Sequence, residues 1–229
     1  MDWISFWNSD HPIYVNERHR QVHYRGIADD VSRYVTGPTA VVMDYGCGES
    51  LHADIVAAKA GQLILCEAAS NVRDHLTTRF ASAGNIAVKS PEEVAALPAG
   101  TFDLIVMHSV AQYLGQDETD AMFRDFKRLL KPDGLFVIGD VIPPQVSPIT
   151  DAVSLLRFAA ANGFLFHAAL GLARTAFSDY PKLRARLGLT LYEEAAMKAK
   201  LEAAGFTVQR AAKNIGHSQS RMTFMAATR

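Results

Sequence analysis

The apolar run at residues 40–43 passes into Asp44, a Gly46-Cys47-Gly48 turn and a helix-forming segment from Leu51. A short apolar run closed by a turn reads as a buried parallel strand, covered on both faces. Gly46 and Gly48 can take positive φ and bring the backbone close to a ligand, which a Cβ would block. Strand, tight turn and helix in this order open a doubly wound α/β sheet, whose crevice lies outside the carboxyl ends of the strands. The turn amides, with a helix N-terminus behind them, favour an acceptor or a carboxylate.

Later segments repeat the pattern. Residues 62–66 form a second apolar run, ending in Glu67, roughly 20 residues past the glycines, where an acid can accept two ribose hydroxyls. Each such charge-assisted bond contributes on the order of 1.5–3 kcal/mol. A solvated strand-end glutamate is the plainer alternative. Phe102-Asp103-Leu104-Ile105-Val106-Met107-His108-Ser109-Val110 supplies a further strand. Arg128-Leu129-Leu130-Lys131-Pro132-Asp133-Gly134 reads as a helix that Pro132 stops at Lys131, then an Asp133-Gly134 turn into strand five.

These four segments, in order over roughly residues 40–140, resemble motifs of the class I S-adenosylmethionine-dependent methyltransferases. Asp44-x-Gly46-Cys47-Gly48 stands as motif I, Glu67 as motif II and Phe102-Asp103-Leu104 as motif IV. Ser50 departs from the pattern, since the family commonly has another glycine there. The resemblance implies a Rossmann-like, doubly wound α/β sheet of seven strands, mostly parallel, with a C-terminal antiparallel hairpin and a helical cap. It implies S-adenosyl-L-methionine as cofactor and methyl transfer to a small or lipid-like acceptor. The cofactor residues it implies are Asp44, Gly46, Cys47, Gly48, Glu67, Glu92, His108 and Ser109. Glu92 would approach the adenine amino group, with helix capping by Glu92 or Glu93 as the alternative.

Two rival functions are weighed. An NAD-dependent oxidoreductase needs Gly-x-Gly-x-x-Gly, but Leu51 holds the third position and no Tyr-x-x-x-Lys pair occurs. A non-catalytic protein that binds the cofactor finds support only in Ser50. Net charge is −1 with pI near 6.7, which disfavours a nucleic-acid partner. No apolar run reaches the roughly 20 residues that span a bilayer, and the N-terminus has no basic region of a signal peptide. Cys47 and Cys66 lack metal or disulfide spacing. The expectation is a cytoplasmic protein without a metal.

The domain organisation expected is an N-terminal helical cap over residues 1–37 and a methyltransferase domain over 38–229. Within it, residues 141–189 form a helical insertion that completes the substrate cap. Residues 14–34 read as one helix interrupted at Gly26. Its His19 and His23 could face a metal together, but no acidic third ligand follows, so packing or substrate contact is preferred. Ser70 is expected to cap a helix to residue 80, and Ser90-Pro91-x-Glu93 to form a capping box. Residues 151–176 read as one or two helices around an uncharged run, followed by Lys182, Arg184 and Arg186. That combination suits a buried cavity wall or peripheral contact with a lipid surface. Thr190 and Glu193 read as a second capping box opening a helix over 191–204, ended by Gly205. Strands over 206–211 and 221–227 then close the sheet.

Methyl transfer from a sulfonium needs alignment and desolvation, worth roughly 7–11 kcal/mol in well-oriented systems, but no protein nucleophile. His108 is the candidate catalytic base, with shaping of the pocket as its alternative. Candidate substrate residues are Tyr14, Tyr24, Tyr113, Asn214, His217 and Arg221. Adenine- or glutamine-type acceptors are disfavoured, because no Asn/Asp-Pro-Pro-Tyr/Phe follows strand four.

Overall fold

The structure is a computed structural model, and it describes residues 3–8, 14–176 and 188–228. Seven strands form one sheet: β1 Val41–Tyr45, β2 Gln62–Cys66, β3 Ile86–Lys89, β4 Phe102–His108, β5 Leu130–Val141, β6 Phe206–Arg210 and β7 Met222–Thr228. Their order is β3-β2-β1-β4-β5-β7-β6. The first five run parallel, and β7 is antiparallel to both β5 and β6. The chain lays β2 and β3 outward from β1, then returns to place β4 on the other side of β1. That reversal opens a crevice at the carboxyl ends of β1 and β4, where such sheets bind ligands.

Helices cover both faces: α1 Trp3–Trp7, α2 Glu17–Val31, α3 Ala53–Ala57, α4 Ser70–Arg79, α5 Pro91–Ala95, α6 Gln116–Leu129, α7 Pro148–Asn162, α8 Leu165–Ala176 and α9 Glu194–Ala203. Side chains alternate along each strand. Met43, Ile64, Ile105 and Phe136 pack with α6 and α9 through Phe123, Phe126, Met197 and Leu201. Val42, Leu63, Leu104 and Val137 pack on the opposite face with α2, α3 and α4. Burial on both faces explains why the strands read as unbroken apolar runs.

Two motif residues act as clamps. Asp103 accepts the Val41 N–H at 2.8 Å and pairs with Lys131 at 2.7 Å, tying the start of β1 to β4 and β5. Arg128 donates to the carbonyls of Ala95 and Leu97, which lie at the C-terminal end of α5. Asp133 carries the positive φ of the turn, +63°, rather than Gly134. Gly134 is needed for space, since a Cβ there would sit 2.9 Å from the Lys131 carbonyl oxygen.

Several boundaries differ from the sequence reading. Gly26 does not interrupt α2, which Asn16 caps by accepting the His19 N–H at 2.8 Å. Ser70 is the first residue of α4 and not its cap; the Glu67 carboxylate takes the Ala69 N–H instead. The box at Ser90 and Glu93 is present. The box at Thr190 is not: Thr190 bonds Gln112 and Leu114, and α9 starts only at Glu194. The cause is Tyr192, buried in the core with its hydroxyl 3.0 Å from Thr119, which demands extended backbone through that stretch. Residues 151–176 fall into two helices, broken at Gly163 with φ +74°.

The α7–α8 hairpin packs on the N-terminal segment. Ala159, Phe164 and Ala168 form a third apolar cluster with Val15 and Val22. Leu165, Phe166 and Leu170 of α8 are exposed. The basic residues Lys182, Arg184 and Arg186 lie outside the described residues. No described helix is long and apolar enough to cross a membrane.

Phe136 is fully buried between Phe123, Phe126 and Phe206, at ring separations of 5.5, 5.1 and 5.9 Å. Phe136→Ala is expected to cost about 3–5 kcal/mol in urea unfolding, the range for a large core truncation. A loss under about 1 kcal/mol would contradict this packing.

Candidate functional site

The glycine turn is fixed by Glu67. Gly46 and Cys47 donate their N–H groups to the Cys66 carbonyl at 2.8 and 3.2 Å. Gly48 donates to Glu67 Oε2 at 2.9 Å, and Ala69 donates to Glu67 Oε1 at 2.8 Å. One carboxylate thereby joins the turn after β1 to the start of α4. The glycines are required on two counts. Gly46 and Gly48 sit at φ +70° and +57°, and Cβ atoms there would fall 2.4 Å from Val110 Cγ2 and 2.9 Å from Tyr24 Oη. Tyr24 reaches over from α2, and its hydroxyl accepts the Glu49 N–H at 3.1 Å. Ser50 takes φ +39°, a left-handed conformation that glycine adopts without strain. Serine therefore keeps the loop's shape at a cost of roughly 1–2 kcal/mol.

Asp44, at the carboxyl end of β1, lies deep in the molecule yet retains accessible surface, so it lines the crevice. Its carboxyl has no hydrogen-bond or ion-pair partner among the described residues. Burial first, and the nearby Glu67 second, raise it to about 7. Cys47 is buried, and burial pushes its thiol up, so it packs as an apolar group.

At the end of β4, Ser109 (φ +58°) donates its hydroxyl to Asp140 Oδ2 at 2.6 Å. Arg221 bridges Asp140 and Asp151 at 2.6 and 3.0 Å. Burial favours the neutral form of Asp140, but Arg221, His108 and the Ser109 bond hold its carboxyl below the usual range. Asn214 accepts the Asp140 N–H and the Thr223 hydroxyl, and donates to the Ser218 carbonyl. Asn214 and Arg221 are thus committed to holding the β6–β7 loop against β5. His108 lies against the backbone of Gly139 and Gly216, and its Nδ1 is buried without a partner. Burial lowers its pKa, with Asp140 opposing and Arg221 reinforcing the shift.

Residues 43–138 match the family model described as a methyltransferase domain. Residues 43–138, from β1 into β5, thus carry a methyltransferase domain. Solved structures share the fold. Magnesium protoporphyrin IX methyltransferase from Synechocystis, with bound S-adenosylhomocysteine, aligns at TM-score 0.61 and 16% identity, covering 98% of this chain and 92% of that one. The N-methyltransferase NodS from Bradyrhizobium japonicum, also with S-adenosylhomocysteine, aligns at 0.59 and 15%, covering 98% and 94%. YcgJ from Bacillus subtilis aligns at 0.56 and 16%, covering 81% and 70%. No curated protein sequence matches the chain.

Around the methyltransferase crevice the N-terminal residues add a shell of rings. Tyr14 packs on His19, His23 and Tyr24 with centroids 5.4–5.7 Å apart. His19 stacks on Phe164 at 4.9 Å, and His217 on Phe158 at 4.6 Å. Burial pushes His23 down to about 3 and His19 to about 4, so both are neutral at pH 7. The pair at i and i+4 packs among these rings. Trp7 meets Tyr113 edge-on at 5.9 Å, and Asn8 bonds Asn71 at the start of α4, so α1 lies across the crevice from β4 to α4. Glu92 is exposed on α5, where Ser90 holds its carboxyl below the ordinary range, while Glu93 closes the capping box. Asp140 escaped the sequence reading; its position at the end of β5, opposite Arg221 in the closing hairpin, was the available signal.

The raised Asp44 has a stability consequence. Its folded value, about 7, lies above the ordinary carboxylate value near 3.9, so the folded protein holds the extra proton between them. Stability of the ligand-free protein should fall as pH rises through that window. Asp44→Asn should flatten this part of a Tm–pH profile; an unchanged slope would contradict it.

Proposed function

We propose that the protein transfers the methyl group of S-adenosylmethionine to a small or lipid-like acceptor. The observation that carries this reading is the unpartnered Asp44 carboxyl beside the Glu67-held glycine turn. A carboxyl so enclosed is costly unless a donor or cation meets it. An α-ammonium or sulfonium supplies that charge, whereas a pyrophosphate would be repelled by Asp44 and Glu67 together. Glu67 already accepts two backbone N–H groups, yet an ionised carboxylate has about four acceptor sites. Two remain for the hydroxyls of a ribose.

S-adenosylmethionine supplies an activated methyl group on sulfur, and the chain's residues position and enclose it. Gly46, Cys47 and Gly48 offer close backbone approach, and Asp44 and Glu67 take the cationic and sugar ends. Ser109 shapes the end of β4, and Glu92, on α5 beyond β3, would be the residue to meet the base. The cap is assigned to residues 1–37 and 141–189, supported by the packing of α2 on the α7–α8 hairpin and by α1 across the crevice. His108 is neutral at pH 7 and can accept a proton from a hydroxyl or ammonium acceptor, with Asp140 favouring the imidazolium formed. Tyr14, Tyr24, Tyr113 and His217 are the candidates for contact with the acceptor.

Isothermal titration should show S-adenosylhomocysteine binding and NADH failing to bind; the reverse would overturn the reading. Glu67→Ala should weaken S-adenosylhomocysteine binding at least about 100-fold, since two charge-assisted bonds are lost. His108→Ala should cut turnover at least about tenfold while leaving that affinity nearly unchanged. The wild-type rate should decline as pH falls below the ordinary histidine range, where His108 becomes protonated. Unchanged turnover in His108→Ala would remove the residue from catalysis.

A further inference from the structure

A groove of about 800 Å³ runs between α2 and α7, floored by the β6–β7 loop. That volume suits a small organic molecule. Its walls are mixed: Val22, Ile149, Val153 and Phe158 give an apolar side, with Ile149 75% and Val153 40% exposed. Its inner end is formed by His23, His217 and Gly216. Gly216 also backs His108, whose Cε1 lies 3.6 Å from where a Gly216 Cβ would be. The groove and the cofactor crevice therefore meet across one layer of residues.

Gly26 is the independent clue. It sits in the interior of α2, where glycine is the least favourable residue after proline. Its φ is not positive, and a Cβ built on it would meet nothing within 4 Å. No turn and no close helix contact asks for glycine here. Its visible consequence is open space, because Gly26 lines the groove and its missing side chain deepens it.

Charge then selects the occupant. Of the acids in the wall, Asp30 is paired with Arg33 and accepts the Gly216 N–H, and Asp29 lies 3.8 Å from Arg25. Arg157, exposed on α7 beside Phe158, has no ion-pair partner among the described residues. We infer that this groove takes an amphiphilic acid. Its apolar body lies along Val22, Ile149 and Val153, and its anionic group meets Arg157. The binding of an anionic amphiphile does not rest on the methyl-transfer reading.

The test is a titration of the full chain with dodecanoate, with dodecyltrimethylammonium as the charge control and S-adenosylhomocysteine run separately. Dodecanoate should bind the wild type at least tenfold more tightly than the cationic analogue. Gly26→Phe, which fills the hollow, and Arg157→Glu, which reverses the charge, should each weaken dodecanoate at least tenfold. Arg157→Lys should retain most of the binding, and all variants should keep wild-type affinity for S-adenosylhomocysteine, which shows that they fold. No dodecanoate binding by the wild type, or binding that neither Gly26→Phe nor Arg157→Glu changes, would overturn the inference. The latter result would mark adhesion to the exposed apolar residues of α8. If S-adenosylhomocysteine failed to bind the wild type, the methyl-transfer reading would fall, and the dodecanoate series would still decide the groove.

Discussion

The Glu67 carboxylate organises the site by holding two backbone N–H groups at once. One belongs to Gly48 in the turn after β1, the other to Ala69 at the head of α4. Without that bridge the Gly48 N–H would lose its acceptor, leaving the turn's N–H groups only the bonds of Gly46 and Cys47 to Cys66 and of Glu49 to Tyr24. Bonds from backbone N–H groups to an ionised acceptor are stronger than neutral ones, so a small contact count fixes the loop firmly. The same carboxylate faces Asp44, so the turn is held at the cost of crowding two acids at one strand edge. That crowding is relieved by a cationic ligand, which links the local fold to the proposed cofactor.

The second half of the site is built by a different device. Asp140, at the end of β5, gathers Ser109 from β4, Asn214 from the β6–β7 loop and Arg221 from the closing hairpin. These bonds fix the floor against which His108 rests. The reversed pair β6–β7 thus shapes the side proposed for the acceptor, while β1 and β2 shape the side proposed for the cofactor. The N-terminal segment covers both, through Tyr24 over Gly48 and the histidine rings against Phe158 and Phe164.

The parallel core and the glycine turn were legible in the sequence because local chemistry determines them. Apolar runs on strands buried on both faces, Gly46 and Gly48 at forced positive φ, and the Ser90–Glu93 box all act over a few residues. What misled were positions governed by distant partners. Thr190 looked like a cap, yet Tyr192 is drawn into the core by Thr119, 73 residues away in sequence, and the helix starts later. Ser70 lost its capping role to Glu67, which serves the glycine turn at the same time. The bonds of Asn214 and Arg221 to Asp140, across 74 and 81 residues, are likewise announced by no local pattern.

In the proposed complex the β1–β4 crevice seats the sulfonium nucleoside, with Asp44 and Glu67 as its polar contacts. A crystal structure of the protein grown with S-adenosylhomocysteine tests it most directly. The sugar hydroxyls should lie within hydrogen-bond distance of Glu67, the α-ammonium on the Asp44 side, and the Gly46–Gly48 backbone beneath the ligand. A ligand bound elsewhere on the sheet, or Glu67 turned out to solvent with the crevice filled by side chains, would contradict it.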